Sequence, residues 1–142
     1  MKQVFDEIRQ QWVAATPEEM VRQSWIQRMA KELGFPKELL VVERELKALP
    51  HLERHPQPLP TRRIDLLSFA YSDERIFFPL LLVECKVERL SQNVLEQALA
   101  YNSFVQARYV AVVNQSHIRL QYQGVEMNRL PSFSELIKVV YG

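Results

Sequence analysis

Glycine is scarce in this chain: Gly34, Gly124 and Gly142 are the only three in 142 residues. Neither a GxxxxGK[ST] loop nor a GxGxxG turn can be written with them, which excludes P-loop motors and Rossmann dehydrogenases. Cysteine is scarcer still. Cys85 stands alone, so an internal disulfide and a multi-cysteine zinc site are excluded, and the usage suits a reducing compartment. Long apolar runs are also missing: the longest, Ile76 to Val83, is interrupted by Pro79 and meets Glu84 and Lys86, whereas a bilayer span takes about 20 apolar residues. The opening MKQVFDEIRQ carries Lys2, Asp6, Glu7 and Arg9 and lacks the apolar h-region of a secretory signal. A cytoplasmic chain with no membrane partner is expected. Charge of one sign is lacking too. Eighteen basic against seventeen acidic residues leave a formal net charge of +1, so a polyanionic partner must be held by local groups rather than by a long-range field.

What remains is 47% apolar and 25% charged residues, the make-up of an ordinary globular domain that buries roughly two thirds of its unfolded surface. With no repeat and no linker-like tract, residues 1–142 are expected to form a single domain. Val4, Ile8, Trp12 and Val13 have helical spacing, which predicts a short helix over about Gln3 to Ala14. Thr16, Pro17 and Glu19 supply an N-cap, a first-turn proline and a capping box for a second helix. That helix should run to about Leu33, end at Gly34, and bury Val21, Trp25, Ile26, Met29 and Leu33.

Leu39 to Leu49 reads as a strand and the proline-rich His51 to Pro60 as an extended loop. Two strands, Arg62 to Tyr71 and Phe77 to Val87, are expected around the polar turn Ser72-Asp73-Glu74-Arg75. A helix capped by Ser91 and running to about Ala107 follows, then strands at Tyr109 to Val113 and His117 to Gln123. Ser132 and Glu135 form a capping box for a last helix. The expected class is α/β, a mixed central β-sheet flanked by helices.

Chemistry concentrates where the apolar strand Leu80-Leu81-Leu82-Val83 ends in Glu84-Cys85-Lys86. Strand side chains alternate, so Glu84 and Lys86 share a face and Cys85 points into the opposite layer. If the hairpin turns near Asp73 and Glu74, residues whose numbers sum to about 149 face each other and Asp65 sits opposite Glu84. Cross-strand partners lie roughly 5 Å apart, and like charges there are destabilising unless a cation joins them. Mg²⁺, with Mn²⁺ as a substitute, suits two carboxylates, waters and a phosphate oxygen. Lys86 on the same face is placed to position an attacking water or to stabilise phosphoryl charge, which makes metal-assisted phosphodiester hydrolysis the expected reaction. Gln97 and Tyr101 share a face of the following helix, as do Glu19 and Gln23 on the earlier one. Arg62, Arg63 and Arg89 bracket the carboxylates in sequence and are candidates for backbone phosphates.

Arg63-Ile64-Asp65, Glu84-Cys85-Lys86 and Gln97 to Tyr101, in this order, resemble the RxD, ExK and QxxxY motifs of the PD-(D/E)XK nuclease superfamily. More narrowly, Pro17 to Gln23, the Gly34-Phe35-Pro36 turn, Leu80 to Lys86 and Gln97 to Asn102 resemble the N-terminal nuclease domain of type I restriction enzyme R subunits. The likeness covers about residues 16–123. It implies a restriction-endonuclease-like core in which Asp65 and Glu84 hold Mg²⁺ with the Cys85 carbonyl, Lys86 assists the water, and Glu19 sits beside the metal. Gln97 and Tyr101 would face the active site and the DNA backbone. Ile64 departs from the superfamily's proline, and Val113-Asn114-Gln115 stands where Thr-Asn-Gly is common in this group. R subunits carry a motor after this domain, and the expectation here is a chain that does not translocate DNA alone.

The partners so implied are DNA, a second copy of the chain, and a separately encoded restriction-modification or ATPase subunit. A different class of function stays open, a non-cleaving nucleic-acid-binding or assembly module on the same fold. His51 and His55 have the spacing of helical zinc ligands, but Pro50 and Pro56 argue against a helix there. Cys85 is disfavoured as a nucleophile because its register turns it away from the two charges.

Overall fold

The computed structural model describes residues 1–141. Its first element corrects an expectation: Gln3 to Ala14 is a hairpin, not a helix. Strand β1 (Gln3–Asp6) pairs antiparallel with β2 (Gln11–Ala14). Val4 faces Val13, and Phe5 faces Trp12 with an edge-to-face ring contact. The turn decides the outcome. Asp6 Oδ1 accepts the amides of Ile8 and Arg9 at 2.7 and 2.9 Å, and Gln10 takes a left-handed φ of 54°. An aspartate that bonds its own backbone two and three residues on draws the chain out of helix geometry.

Helix α1 (Pro17–Lys31) begins as its sequence dictates, with Thr16 Oγ1 accepting the Glu19 amide at 3.1 Å. It stops short of Gly34, whose φ of 75° lets Phe35 donate its amide back to Met29. Strand β3 (Leu40–Glu45) covers the first half of the expected strand, and Leu46–Ala48 tightens into a 3₁₀ turn. Strands β4 (Arg63–Tyr71) and β5 (Phe77–Cys85) form the expected hairpin. Helix α2 (Gln92–Val105) is capped by Ser91, whose hydroxyl accepts the Val94 amide. Strands β6 (Tyr109–Val113) and β7 (Ile118–Tyr122) follow, then a three-residue strand β8 (Val125–Met127) that the sequence reading missed. Helix α3 (Phe133–Tyr141) opens on the Ser132–Glu135 capping box, each side chain accepting the other's amide.

The main sheet is mixed, in the order β3-β4-β5-β6-β7-β8, with β5 and β6 parallel and the other neighbours antiparallel. A parallel pair needs a crossover, and α2 supplies it. One face packs Trp25, Ile26 and Met29 of α1 and Leu136 of α3 against Leu80, Val83, Cys85 and Ala111. The other packs Tyr101 and Val105 of α2 against Ile64, Leu67 and Leu82, with Leu95 and Ala98 against Val110 and Val112. The central strands, covered on both faces, are apolar nearly throughout.

Register places the charged residues. Leu66 faces Val83 and Leu67 faces Leu82 across β4 and β5, so Asp65 and Glu84 are the next pair along. On the other side Val42 faces Leu66 and Arg44 faces Ile64, which sets Glu43 level with Asp65. Three acidic residues thus stand in a row across three adjacent strands.

Candidate active site

Asp65 is the middle of that row and is fixed through both of its carboxylate oxygens. Oδ2 accepts the Cys85 amide at 2.8 Å and Oδ1 accepts Arg22 Nη2 at 3.2 Å. Glu84 lies at the end of β5 with 1% of its surface exposed, its carboxyl within hydrogen-bonding reach of Asp65's. Arg62 Nη2 donates to Glu84 Oε1 at 3.2 Å, while Glu84 Oε2 is buried with no partner. Burial pushes the Glu84 carboxyl well above its ordinary pKa. The neighbouring Asp65 carboxyl adds to the rise, and Arg62 and Lys86 oppose it. The oxygens of an ionised carboxylate are acceptors only, so Glu84 Oε2 is suited to a donor or a cation.

Lys86 follows directly after β5. Its amide donates to the Val113 carbonyl at 2.8 Å, which anchors the backbone there. Its side chain is half-buried and its ammonium forms no ion pair among the described residues. Cys85 turns its sulfur into the α1 layer, 1% exposed, and burial raises its thiol pKa. Its amide faces Asp65, and because the N–H and C=O of a strand residue project to the same side, its carbonyl faces that side as well.

Tyr101 reaches the cluster from α2. Its hydroxyl donates to the Arg62 carbonyl at 3.1 Å, and the Arg62 guanidinium rests 4.4 Å over its ring. Burial, with the charge of Glu84, lifts the phenol pKa to about 12, so Tyr101 acts here as a neutral hydroxyl. Gln97 stands one turn earlier, exposed on the surface of α2. Arg63 Nη1 lies 3.9 Å from Glu43 Oε2. Arg89 lines a cleft of about 340 Å³ with Leu90, Asn114, His117, Ile118, Arg119 and Asn128.

Glu19 is buried and makes three contacts. Its Oε1 accepts Arg9 Nη2 at 2.8 Å and Arg22 Nη1 at 2.6 Å, and its Oε2 accepts Gln23 Nε2 at 3.0 Å. Glu19 is therefore joined to Asp65 through the Arg22 guanidinium. The reciprocal half of the expected capping box is absent, since the Thr16 amide bonds the Ala14 carbonyl. The sequence reading missed Arg22 and Glu43 as members of the cluster. Arg22 is 3% exposed and bridges Glu19, Asp65 and Glu43, the last at 2.9 Å. Its position three residues after Glu19 was a legible ion-pair spacing. Glu43 carries a φ of 51°, a left-handed conformation that is uncommon for a residue with a side chain and that clusters at functional sites. Nothing in the sequence signals it beyond a charge within a strand.

Chemically, the cluster offers two facing carboxyls with one free buried oxygen, an ammonium without an ion pair, and arginines behind each carboxylate. Among the described residues no group of three or more His, Cys, Asp or Glu side chains is placed to hold an ion by itself. A cation here would have to complete its shell with backbone oxygen, water or substrate. Among the described residues, no helix is long and apolar enough to cross a membrane.

Comparison with curated proteins gives no match. A family model does match. Described as the type I restriction enzyme R protein N terminus, it covers residues 17–133. That span includes Glu19, Arg22, Glu43, Asp65, Glu84 and Lys86, and the chain belongs to this family.

Proposed function

We propose that this chain is a Mg²⁺-dependent endonuclease domain that hydrolyses DNA phosphodiester bonds, with Mn²⁺ able to substitute, and that residues 1–142 act as one domain. The observation that carries this is the Asp65–Glu84 pair, two carboxyls within bonding reach with Glu84 Oε2 buried and unpartnered. Mg²⁺ usually binds through one or two carboxylates and keeps waters and phosphate oxygens in its octahedron, so a two-carboxylate set fits it. Asp65, Glu84 and the Cys85 carbonyl are the groups to hold it. Once bound, such an ion makes a water more acidic and polarises a phosphoryl oxygen.

The chain's own residues do the rest. Lys86 orients the attacking water and offsets charge on the phosphoryl oxygens. The water oxygen bonds to phosphorus and gives up a proton to solvent, the bond to the leaving nucleotide oxygen breaks, and that oxygen takes up a proton from solvent. Gln97 and Tyr101 border the backbone beside the scissile phosphate, and Arg62, Arg63 and Arg89 hold flanking phosphates. Cutting both strands of a duplex calls for two sites, supplied by a homodimer or by assembly with a separately encoded restriction-modification or ATPase subunit.

The test is cleavage of plasmid DNA by purified protein in Mg²⁺, with EDTA as control. Asp65→Asn, Glu84→Gln and Lys86→Ala should each slow it by about 10²-fold or more. Three variants that cut like the parent protein would overturn the proposal. A second reading, a non-cleaving nucleic-acid-binding or assembly module, is favoured by one observation: Arg22 sits on Asp65 and Arg62 on Glu84, so each carboxylate already has a cationic partner. DNA binding without cleavage in both Mg²⁺ and Mn²⁺, or co-purification with a larger ATPase, would select that reading.

A further inference from the structure

Arg22 is the only buried basic side chain among the described residues, and no catalytic step requires it. Its side chain is 3% exposed, and its three carboxylate contacts come from three different elements: Glu19 on α1, Glu43 on β3 and Asp65 on β4. One nitrogen, Nη2, lies between Glu43 Oε1 at 2.9 Å and Asp65 Oδ1 at 3.2 Å. Two carboxylates converging on one point are what a second divalent ion beside Asp65 would need, and here the point is filled by a guanidinium. Its planar fork suits several carboxylates at once and keeps its charge at any working pH. Asp65's other oxygen is held from the opposite side by the Cys85 amide.

We propose that Arg22 is a positioning residue that acts as a built-in cation: it takes the Glu43 side of Asp65, fixes the carboxylate, and limits the site to one divalent ion. The inference rests on the proposed Asp65–Glu84 metal site and goes beyond it in assigning stoichiometry and the residue that sets it. Removal of the guanidinium leaves Arg9 and Gln23 on Glu19, Arg63 near Glu43 Oε2 and the Cys85 amide on Asp65 Oδ2, but it leaves Glu43 Oε1 and Asp65 Oδ1 facing each other with no cation between them, a costly arrangement and one that a second ion relieves.

The experiment is titration calorimetry of the full chain with Ca²⁺ as probe, alongside melting curves in EDTA. The parent protein should take up one ion. Arg22→Met should take up two, and added Ca²⁺ should raise its melting temperature more than the parent's. Arg22→Lys, which keeps a charge, should stay at one. A purely structural Arg22 would lower stability in Arg22→Met but leave the count at one, and that result overturns the inference while leaving the metal site intact. A parent protein that binds no ion overturns both. If Arg22→Met is unfolded in EDTA, refolding in millimolar Ca²⁺ with two ions bound supports the inference, and failure to refold overturns it.

Discussion

Arg62, just before β4, and Glu84, near the end of β5, are joined by a contact that Tyr101 holds in place. The Arg62 guanidinium donates to Glu84 Oε1 at 3.2 Å while lying 4.4 Å over the Tyr101 ring, and the Tyr101 hydroxyl grips the carbonyl of the same arginine. One residue is thus clamped at its backbone and at its head, and Glu84 receives a cation whose position is fixed.

Loss of that cation has a calculable direction. Arg62 and Lys86 are the groups that hold the Glu84 pKa down against burial and Asp65. In Arg62→Ala the Glu84 carboxyl rises further, protons compete harder with a metal ion, and the pH midpoint of ion binding moves upward. On the acid side, affinity should fall about tenfold for each unit the pKa moves. Calorimetric titrations with Ca²⁺ over a range of pH read this directly, and an unmoved midpoint would contradict it.

Glu84→Gln should make the metal-free protein more stable. A carboxyl whose folded pKa lies above its unfolded value holds its proton more tightly in the native state. Stability therefore declines as pH rises through the ordinary glutamate value of 4.5 and is lowest above the folded pKa. The amide is neutral at every pH. Melting in EDTA should show an increase of a few degrees at pH above neutrality, the effect of about 1 kcal/mol on a domain of this size, shrinking to nothing in acid. Equal melting temperatures at high pH would refute it.

Asp6 behaves in the opposite sense. Burial works to raise its pKa, but the amides of Arg9 and Ile8 and the Arg9 guanidinium outweigh it and bring the pKa below 3.8. Its contribution is full above the unfolded value and is lost as pH falls through the lowered one. Asp6→Asn should cost about 1–3 kcal/mol at neutral pH, with the gap to the parent closing in acid. Denaturant melts at the two pH values measure it.

Cys85 should be silent to thiol reagents in the native state. The sulfur is 1% exposed and its thiol is pushed further from ionisation by burial, and the thiolate is the reactive form. Labelling should appear only with denaturant and track global unfolding. Rapid modification of folded protein would show that β5 is not sealed on its α1 side.

Local chemistry was readable and distant meetings were not. The caps at Thr16, Ser91 and Ser132 depend on an oxygen and an amide three residues apart, and all three formed. Counting from the turn brought Asp65 to within one residue of Glu84, and an irregularity in register between Ser68 and Phe69, which no turn arithmetic foresees, sets the two opposite each other. Over Gln3 to Ala14 a few apolar residues fitted both a helical and a strand period, and the Asp6 turn chose between them. Arg22 and Glu43 meet Asp65 only because α1 packs across the sheet next to β3, a contact no periodicity encodes. β8 is three residues long with an exposed start, too brief to register as a pattern.

The N-terminal hairpin has a practical consequence. The family match begins at residue 17, yet Arg9, in the hairpin before it, lends its guanidinium to Glu19. A fragment trimmed to the matched span would discard that arginine, strip one donor from a carboxylate that shares Arg22 with Asp65, and loosen the acidic row from behind. The span of the family match and the set of residues that brace the site do not coincide, and through Arg9 the N-terminal hairpin belongs to the scaffold of the site.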